Sequence, residues 1–338
     1  MLNTIRFYIA ALFLPLLFSC SQRNNSKQYS GEVVAWVDTI PITMAQVDNP
    51  IRQELFDELN RIYTIRNISL QELIDEKLLA LEAVKYNTTA EALKDSLVEL
   101  QIKNNKLQRF ISDNRYDAGI MVLERSLSSF DIESAKGNAA LMERFKDYVI
   151  NAYTDSLKQI YTVKVNLEPP GAPRINFNTS LIHYRGNPNA DVTVTVVSDF
   201  KCAMCRKYHD VYDSLYTKYS DRVRFAYTNF GSYATISAIA SESAARQGRF
   251  WEMHDALFNL QNLPDTSDVY RIARSLNLNI DVFRKDFESE DIKSSIEQNI
   301  SSIINSGIYA TPTVMVNSRP VFNSSSANKI ERMILKAL

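Results

Sequence analysis

Two of the three cysteines in this 338-residue chain, Cys202 and Cys205, stand three residues apart in "SDFKCAMCRKYHD" (Ser198 to Asp210). That spacing suits three kinds of chemistry: a redox couple, half of a metal site, or a short structural disulfide. A structural disulfide closing so small a loop would gain little from loop entropy. A zinc site takes about four ligands. The nearest further candidate is His209, one helical turn beyond Cys205, and the chain has no second C-x-x-C. A histidine so placed is more often a helix-surface residue than a ligand. Redox chemistry is therefore the leading reading, with Cys202, Cys205 and His209 holding a soft metal such as Cu(I) as an alternative.

The flanking pattern says what must position the pair. "DVTVTVVSDF" (Asp191 to Phe200) begins with alternating Val and Thr and ends apolar, as a buried strand does. After Cys205, residues Tyr208, Val211, Tyr212, Leu215 and Tyr219 recur at helical spacing. Cys202 thus falls where a strand ends and a helix begins. Free backbone N–H groups and the positive end of the helix dipole favour a thiolate there. Such placement can bring a thiol from near 8.5 down to roughly 3.5–7.5. Cys205, a turn further in, is expected to be more buried and to act as the resolving partner. Asp199 is a further candidate for influencing proton transfer at the pair.

The start of the chain bears on redox compartment. "MLNTIRFYIAALFLPLLFSCSQ" has a weakly basic start, an apolar run from Phe7 to Phe18 broken by Pro15, and then Ser19-Cys20. That run is too short to span a bilayer and reads as a signal peptide. Its "LFSC" ending resembles a bacterial lipobox, which implies lipidation of Cys20 as the new N-terminus. Residues 1–19 are then the signal and residues 20–31 a polar, flexible tether. An ordinary secretory signal cleaved nearby is the alternative. Either way Cys202 and Cys205 are placed outside the reducing cytosol, in the bacterial cell envelope, on a membrane-anchored lipoprotein facing the periplasm.

Three segments carry a resemblance: "GNPNADVTVTVVSDFKCAMC", "ARQGRFWEMHDALFNLQ" (Ala245 to Gln261) and "SGIYATPTVMVN" (Ser306 to Asn317). Together and in this order they resemble the DsbA-like branch of the thioredoxin superfamily, from about Asn187 to Arg319. The resemblance implies an α/β thioredoxin fold with a helical insertion, "DRVRFAYTN" (Asp221 to Asn229) as the second strand, and insertion helices over about 232 to 305. It implies that Pro312 in "ATPTVMV" is a cis proline opposite Cys202 and Cys205. It also implies that Thr311, Ala203 and Met204 contact substrate, with Thr311 pairing an extended client segment as a short strand. Strongly oxidising relatives usually have proline and an aromatic or histidine between the cysteines. Ala203 and Met204 stand there instead, which leaves the direction of electron flow open. Ala310 likewise stands where a glycine is common. Phe250, Trp251, Leu257 and Phe258 recur at helix spacing and read as core, His254 has no evident catalytic companion, and Gly248 reads as a helix ender.

The preceding half differs in character. "GEVVAWVDTIPITMAQVDNPI" reads as a short strand, a turn near Asp38-Thr39 and a helix opened by Thr43. It resembles the N-terminal segment of SurA-type chaperone and prolyl-isomerase proteins, as does "LQELIDEKLLALEAVKYN" (Leu70 to Asn87). No parvulin catalytic domain follows, so no isomerase activity is implied. No proline occurs from Ile51 to Glu168, which permits long helices. "TTAE" (Thr88 to Glu91) has the capping-box pattern, and "TVKVNLE" (Thr162 to Glu168) is strand-like. "EPPGAPRIN" is dense in proline and glycine and reads as a linker. The expected division is a mostly α-helical domain over 32–166, a linker over 167–176 and the thioredoxin domain over 177–338.

Hydrophobic content of 45%, charged content of 23% and a net charge of −1 describe a globular chain with no electrostatic case for nucleic acid. The expected function is thiol–disulfide exchange on cysteine-containing exported proteins, served by an unidentified membrane or periplasmic redox partner. The expectation includes no cofactor and no metal. The alternative from another class is a periplasmic holdase chaperone with a secondary redox site.

Overall fold

An antiparallel hairpin of β1 (Val33–Val37) and β2 (Ile40–Thr43) leads the chain, turned by Asp38 at φ 54°. The computed structural model describes residues 31–114, 120–123 and 128–338. The strand-turn-helix expected here therefore contains a second strand. α1 (Met44–Asp48) starts at Thr43, whose Oγ1 accepts from the N–H of Gln46 while Gln46 Oε1 accepts from the N–H of Thr43 at 2.7 Å. This reciprocal pairing satisfies two amides that a helix start leaves open. A 3-10 turn (Asn49–Ile51) leads into α2 (Arg52–Lys85).

The described residues form two compact units, one of residues 31–56 with Gly171–Leu338, the other within Asp57–Pro170. Segment 32–56, expected within the helical domain, groups instead with the thioredoxin unit, and the division falls inside α2.

The second unit is mostly helical. It holds the rest of α2, then α3 (Ala90–Lys103), α4 (Lys106–Asp113), a hairpin of β3 (Ile120–Leu123) and β4 (Ser128–Asp131), and α5 (Ala135–Ile160). Without proline to break them, α2 and α5 run for 34 and 26 residues. Leu79, Ala83 and Leu93 are buried together with Leu97, Ile150 and Tyr153 packed against them. α3 is capped by Thr89, whose Oγ1 accepts from the N–H of Ala92 at 3.2 Å. The cap thus lies one residue after the Thr88 that the "TTAE" pattern suggests. Residues 162–168 form no strand, and Val163 and Val165 are exposed. Alternation alone does not make a strand when no neighbouring strand takes up its backbone groups.

The first unit resumes at Gly171. Its strands are β5 (His183–Gly186), β6 (Val192–Ser198), β7 (Val223–Asn229), β8 (Thr313–Val316) and β9 (Arg319–Pro320), in sheet order β5-β7-β6-β8-β9. β6 and β7 are parallel; the other pairs are antiparallel. Between β6 and β7 runs α6 (Ala203–Tyr219). A block of five helices, α7 (Ile236–Ala245), α8 (Phe250–Phe258), α9 (Thr266–Ser275), α10 (Ile280–Phe287) and α11 (Glu290–Asn305), stands between β7 and β8, and α12 (Ala327–Ala337) ends the chain.

Alternation of side chains along the central strands divides the core in two. Val192, Val194, Phe225, Val314 and Val316 pack against Tyr212, Leu215 and Tyr219 of α6 and Ile330 and Ile334 of α12. Val197 and Met315 instead meet Ile303, Ile308 and Ile175. The inserted helices bury Met253, Leu257, Val269, Ile272 and Phe283 together with Phe200, Cys205 and Tyr227. Gly248, at φ 71°, follows the end of α7 and donates to the carbonyl of Ala245. The expected linker is docked from its second half on, where Ile175 is buried and donates its N–H to Ser318 O at 2.8 Å. This is the arrangement that the resemblance implies, with two edge strands, β5 and β9, that the sequence reading did not assign.

Candidate active site

The pleat of β6 carries the chain to Ser198, and α6 begins five residues later. Cys202 occupies the N-cap, its N–H donating to Asp199 O at 3.1 Å and its carbonyl accepting from Arg206 N–H at 3.1 Å. Its thiol is partly buried, whereas Cys205 is only 1% exposed. Both are free thiols. The Thr311–Pro312 peptide bond is cis, and the carbonyl of Thr311 accepts from Cys202 Sγ at 3.7 Å. Thr311 and Pro312 are half-buried, and Ala203 and Met204 are exposed. The structure therefore brings Cys202, Cys205, Thr311 and Pro312 together, with Ala203 and Met204 on the adjoining surface. Cys20 and the signal lie outside the described residues.

The two sulfurs differ in acidity. Burial opposes ionisation of Cys202, but hydrogen bonds from the Thr311 side chain, the Cys205 amide and thiol, and the Met204 amide outweigh it and hold the thiol below its ordinary value. Cys205 is pushed up to about 12, chiefly by burial and only partly opposed by the Asp199 amide and the Ser198 side chain. Such a pair has one sulfur ready to attack or be attacked and a second whose thiolate is released only as a bond to it breaks.

Ser198 is a neighbour of Cys205 that sequence reasoning passed over; its place at the strand end was the available signal. Asp199 contributes mainly through its backbone. Its carboxylate accepts from the N–H of Lys201 at 3.0 Å, and burial raises its pKa.

His209 is not a helix-surface residue. It is 8% exposed and stacks flat on Phe258, with ring centroids 4.5 Å apart. The helix face that carries Cys205 carries His209 four positions on, so both turn toward the inserted helices. His254 is buried as well, its Nδ1 2.8 Å from Asp255 Oδ1, and burial lowers its pKa to about 4. Phe250, Leu257 and Phe258 are core, and Trp251 packs against them while donating to Tyr184 O at 3.0 Å. A cavity of about 30 Å³ adjoins Cys205 and is lined among others by Ser198, His209, Tyr227 and His254, enough room for a water molecule. Among the described residues no group of three or more His, Cys, Asp or Glu is placed to hold a metal ion.

Residues 179–336 match the family model described as Thioredoxin. Over 170 residues the chain is 31% identical to the Na(+)/H(+) antiporter NhaA of Herminiimonas arsenicoxydans, a match covering 50% of this chain and 26% of that protein. The chain thus spans about a quarter of the length of the first curated relatives it matches. It is 27% identical over 169 residues to disulfide bond formation protein D of Bacillus subtilis, covering 45% of this chain and 75% of that protein. Among solved structures, a thioredoxin-like oxidoreductase from Silicibacter pomeroyi DSS-3 matches with a TM-score of 0.42 and 26% identity, covering 48% of this chain and 94% of that one. No helix among the described residues is long and apolar enough to cross a membrane.

Proposed function

We propose that the protein is a thiol–disulfide oxidoreductase acting on cysteine-containing exported proteins. The observation that carries this reading is the pairing of a partly exposed, acidic Cys202 at a helix N-terminus with a buried Cys205 one turn on, beside the Thr311 backbone. The similarity to disulfide bond formation protein D supports it.

In the oxidising direction a client thiolate attacks Cys202 Sγ of the Cys202–Cys205 disulfide. A client–Cys202 disulfide forms, and Cys205 leaves as a thiolate and takes a proton. A second client thiolate then attacks the client sulfur, and Cys202 departs as the stabilised thiolate, leaving the protein reduced by two electrons and the client oxidised by two. In the reducing direction Cys202 thiolate attacks a client disulfide and Cys205 frees the enzyme. Thr311 presents its backbone edge to an extended client segment, and the exposed Ala203 and Met204 adjoin it. Lipidated Cys20 holds the protein to a membrane facing the periplasm, where an unidentified redox partner resets the couple.

Incubating the oxidised protein with a reduced two-cysteine peptide, and the reduced protein with the oxidised peptide, measures both directions. Cys202→Ser abolishes both, and Cys205→Ser accumulates mixed disulfides on a non-reducing gel. Parental rates from Cys202→Ser would overturn the reading.

A second reading, a holdase, is favoured by the exposed Ile65, Ile68, Leu73, Leu81 and Val84 on α2. On this reading Cys202→Ser suppresses client aggregation as well as the parent does.

A further inference from the structure

The loop that carries Thr311 is tied to a side chain more than 250 positions earlier in the sequence. Gln53, in the first turn of α2, is 6% exposed, and its carboxamide is used at both ends. Nε2 donates to Thr313 Oγ1 at 2.7 Å, and Oε1 accepts from the N–H of Tyr309 at 3.3 Å. The Thr313 hydroxyl in turn donates to Ala310 O at 2.7 Å, and the Gln53 N–H donates to Gly307 O at 3.2 Å. One side chain thereby fastens the loop on either side of Thr311, the residue whose carbonyl lies against Cys202 Sγ.

The contact is built rather than incidental. Gly307, at φ 86°, lies so close to the preceding segment that a Cβ would meet Asn49 O at 2.6 Å. Arg52 locks that segment, donating through Nε to Asn49 O at 3.0 Å and through Nη1 to Arg174 O at 3.1 Å. Burying a primary amide is unfavourable unless its donor and acceptor are paired, and an apolar side chain would fill the same space without that demand. What the amide adds is direction: it fixes where residues 309 and 313 stand, and so where Thr311 stands between them.

We infer that Gln53 is a positioning residue of the exchange site, holding the Thr311 edge in register with Cys202 so that extended client segments engage it. This rests on the oxidoreductase reading. Nothing in the local sequence of Gln53 marks it, because its partners lie at the far end of the chain.

The test compares Gln53→Met, which keeps the shape without the amide, with Thr313→Val, which removes the hydroxyl partner, and Thr313→Ser, which keeps it. In the full-length protein, KM for a cysteine-containing peptide rises about fivefold to tenfold in Gln53→Met and Thr313→Val, as loss of one or two buried hydrogen bonds would produce. Exchange with glutathione, which has little backbone to pair, changes only by as much as the Cys202 thiolate fraction changes. Thiolate absorbance at 240 nm titrates at a shifted pH in both variants, since the Thr311 backbone lies against Cys202 Sγ. Thr313→Ser behaves as the parent. An active parent with unchanged KM and an unshifted thiolate titration in Gln53→Met overturns the role of Gln53 and leaves the oxidoreductase standing. If Gln53→Met does not fold, Thr313→Val decides by the same readouts. A parent without exchange overturns the function itself, while the thiolate titration still reports whether Gln53 positions the loop.

Discussion

Cys202 and Cys205 are the same residue type three positions apart, and their surroundings make them different acids. Cys202 has helix-terminal amides and Thr311 around it, and Cys205 has apolar side chains. Alkylation of the reduced protein should label Cys202 first throughout pH 5–9, with a rate that levels off below the value near 8.5 of a free thiol. Faster labelling of Cys205, read by mass spectrometry of the modified peptides, would reverse the assignment. His254 gives a second prediction at this scale. Its folded pKa of about 4 lies below the ordinary 6.5, so the unfolded chain binds a proton that the folded chain refuses. The stability from keeping this ring neutral is fully present above pH 6.5 and is lost as pH falls toward 4, to the extent of up to about 3 kcal/mol. His254→Phe should flatten the fall in denaturation midpoint across that window. His209, also lowered by burial, leaves part of the slope in place. An unchanged slope would mean that His254 is protonated in the folded state.

Helices and strands differ in how much of their cause is local. The freedom from proline over residues 51–168 and the helix start at Thr43 can be read from sequence, and α1, α2 and α5 follow. The strand-to-helix step at Cys202 was legible for the same reason, since two periodicities meet there. Strands need partners, so Thr162–Glu168 alternates like a strand and is none, while the short β5 exists because β7 offers it an edge. The cap of α3 depends on backbone angles: Thr89, at φ −92° and ψ 156°, has the extended conformation a capping hydroxyl requires. Thr89→Ala should therefore destabilise α3 by about 1 kcal/mol, and Thr88→Ala should have little effect. Hydrogen exchange at the Ala92 amide reads this directly. It should quicken in Thr89→Ala alone, and equal quickening in both variants would restore the cap to Thr88.

At the scale of the molecule, a net charge of −1 supplies no electrostatic attraction to a membrane surface. No helix among the described residues is long and apolar enough to cross a membrane, and the proposed reading attaches the protein through lipidated Cys20. A buried methylene contributes about 0.8 kcal/mol to membrane binding, and a single acyl chain holds a protein only marginally. Stable recovery in the membrane fraction therefore requires more than one chain on Cys20 or a second anchor. Cys20→Ala should appear in the soluble fraction, or as an uncleaved precursor, and the mass of the N-terminal peptide tells these apart. Its exchange rate on a soluble peptide should equal that of the detergent-extracted parent, because Cys202, Cys205 and Thr311 are untouched. Its rate on membrane-bound clients should fall, since release forfeits the high local concentration that shared anchoring provides. A mature chain that stays in the membrane fraction with no acyl group on residue 20 would overturn the lipoprotein reading and require an anchor of another kind.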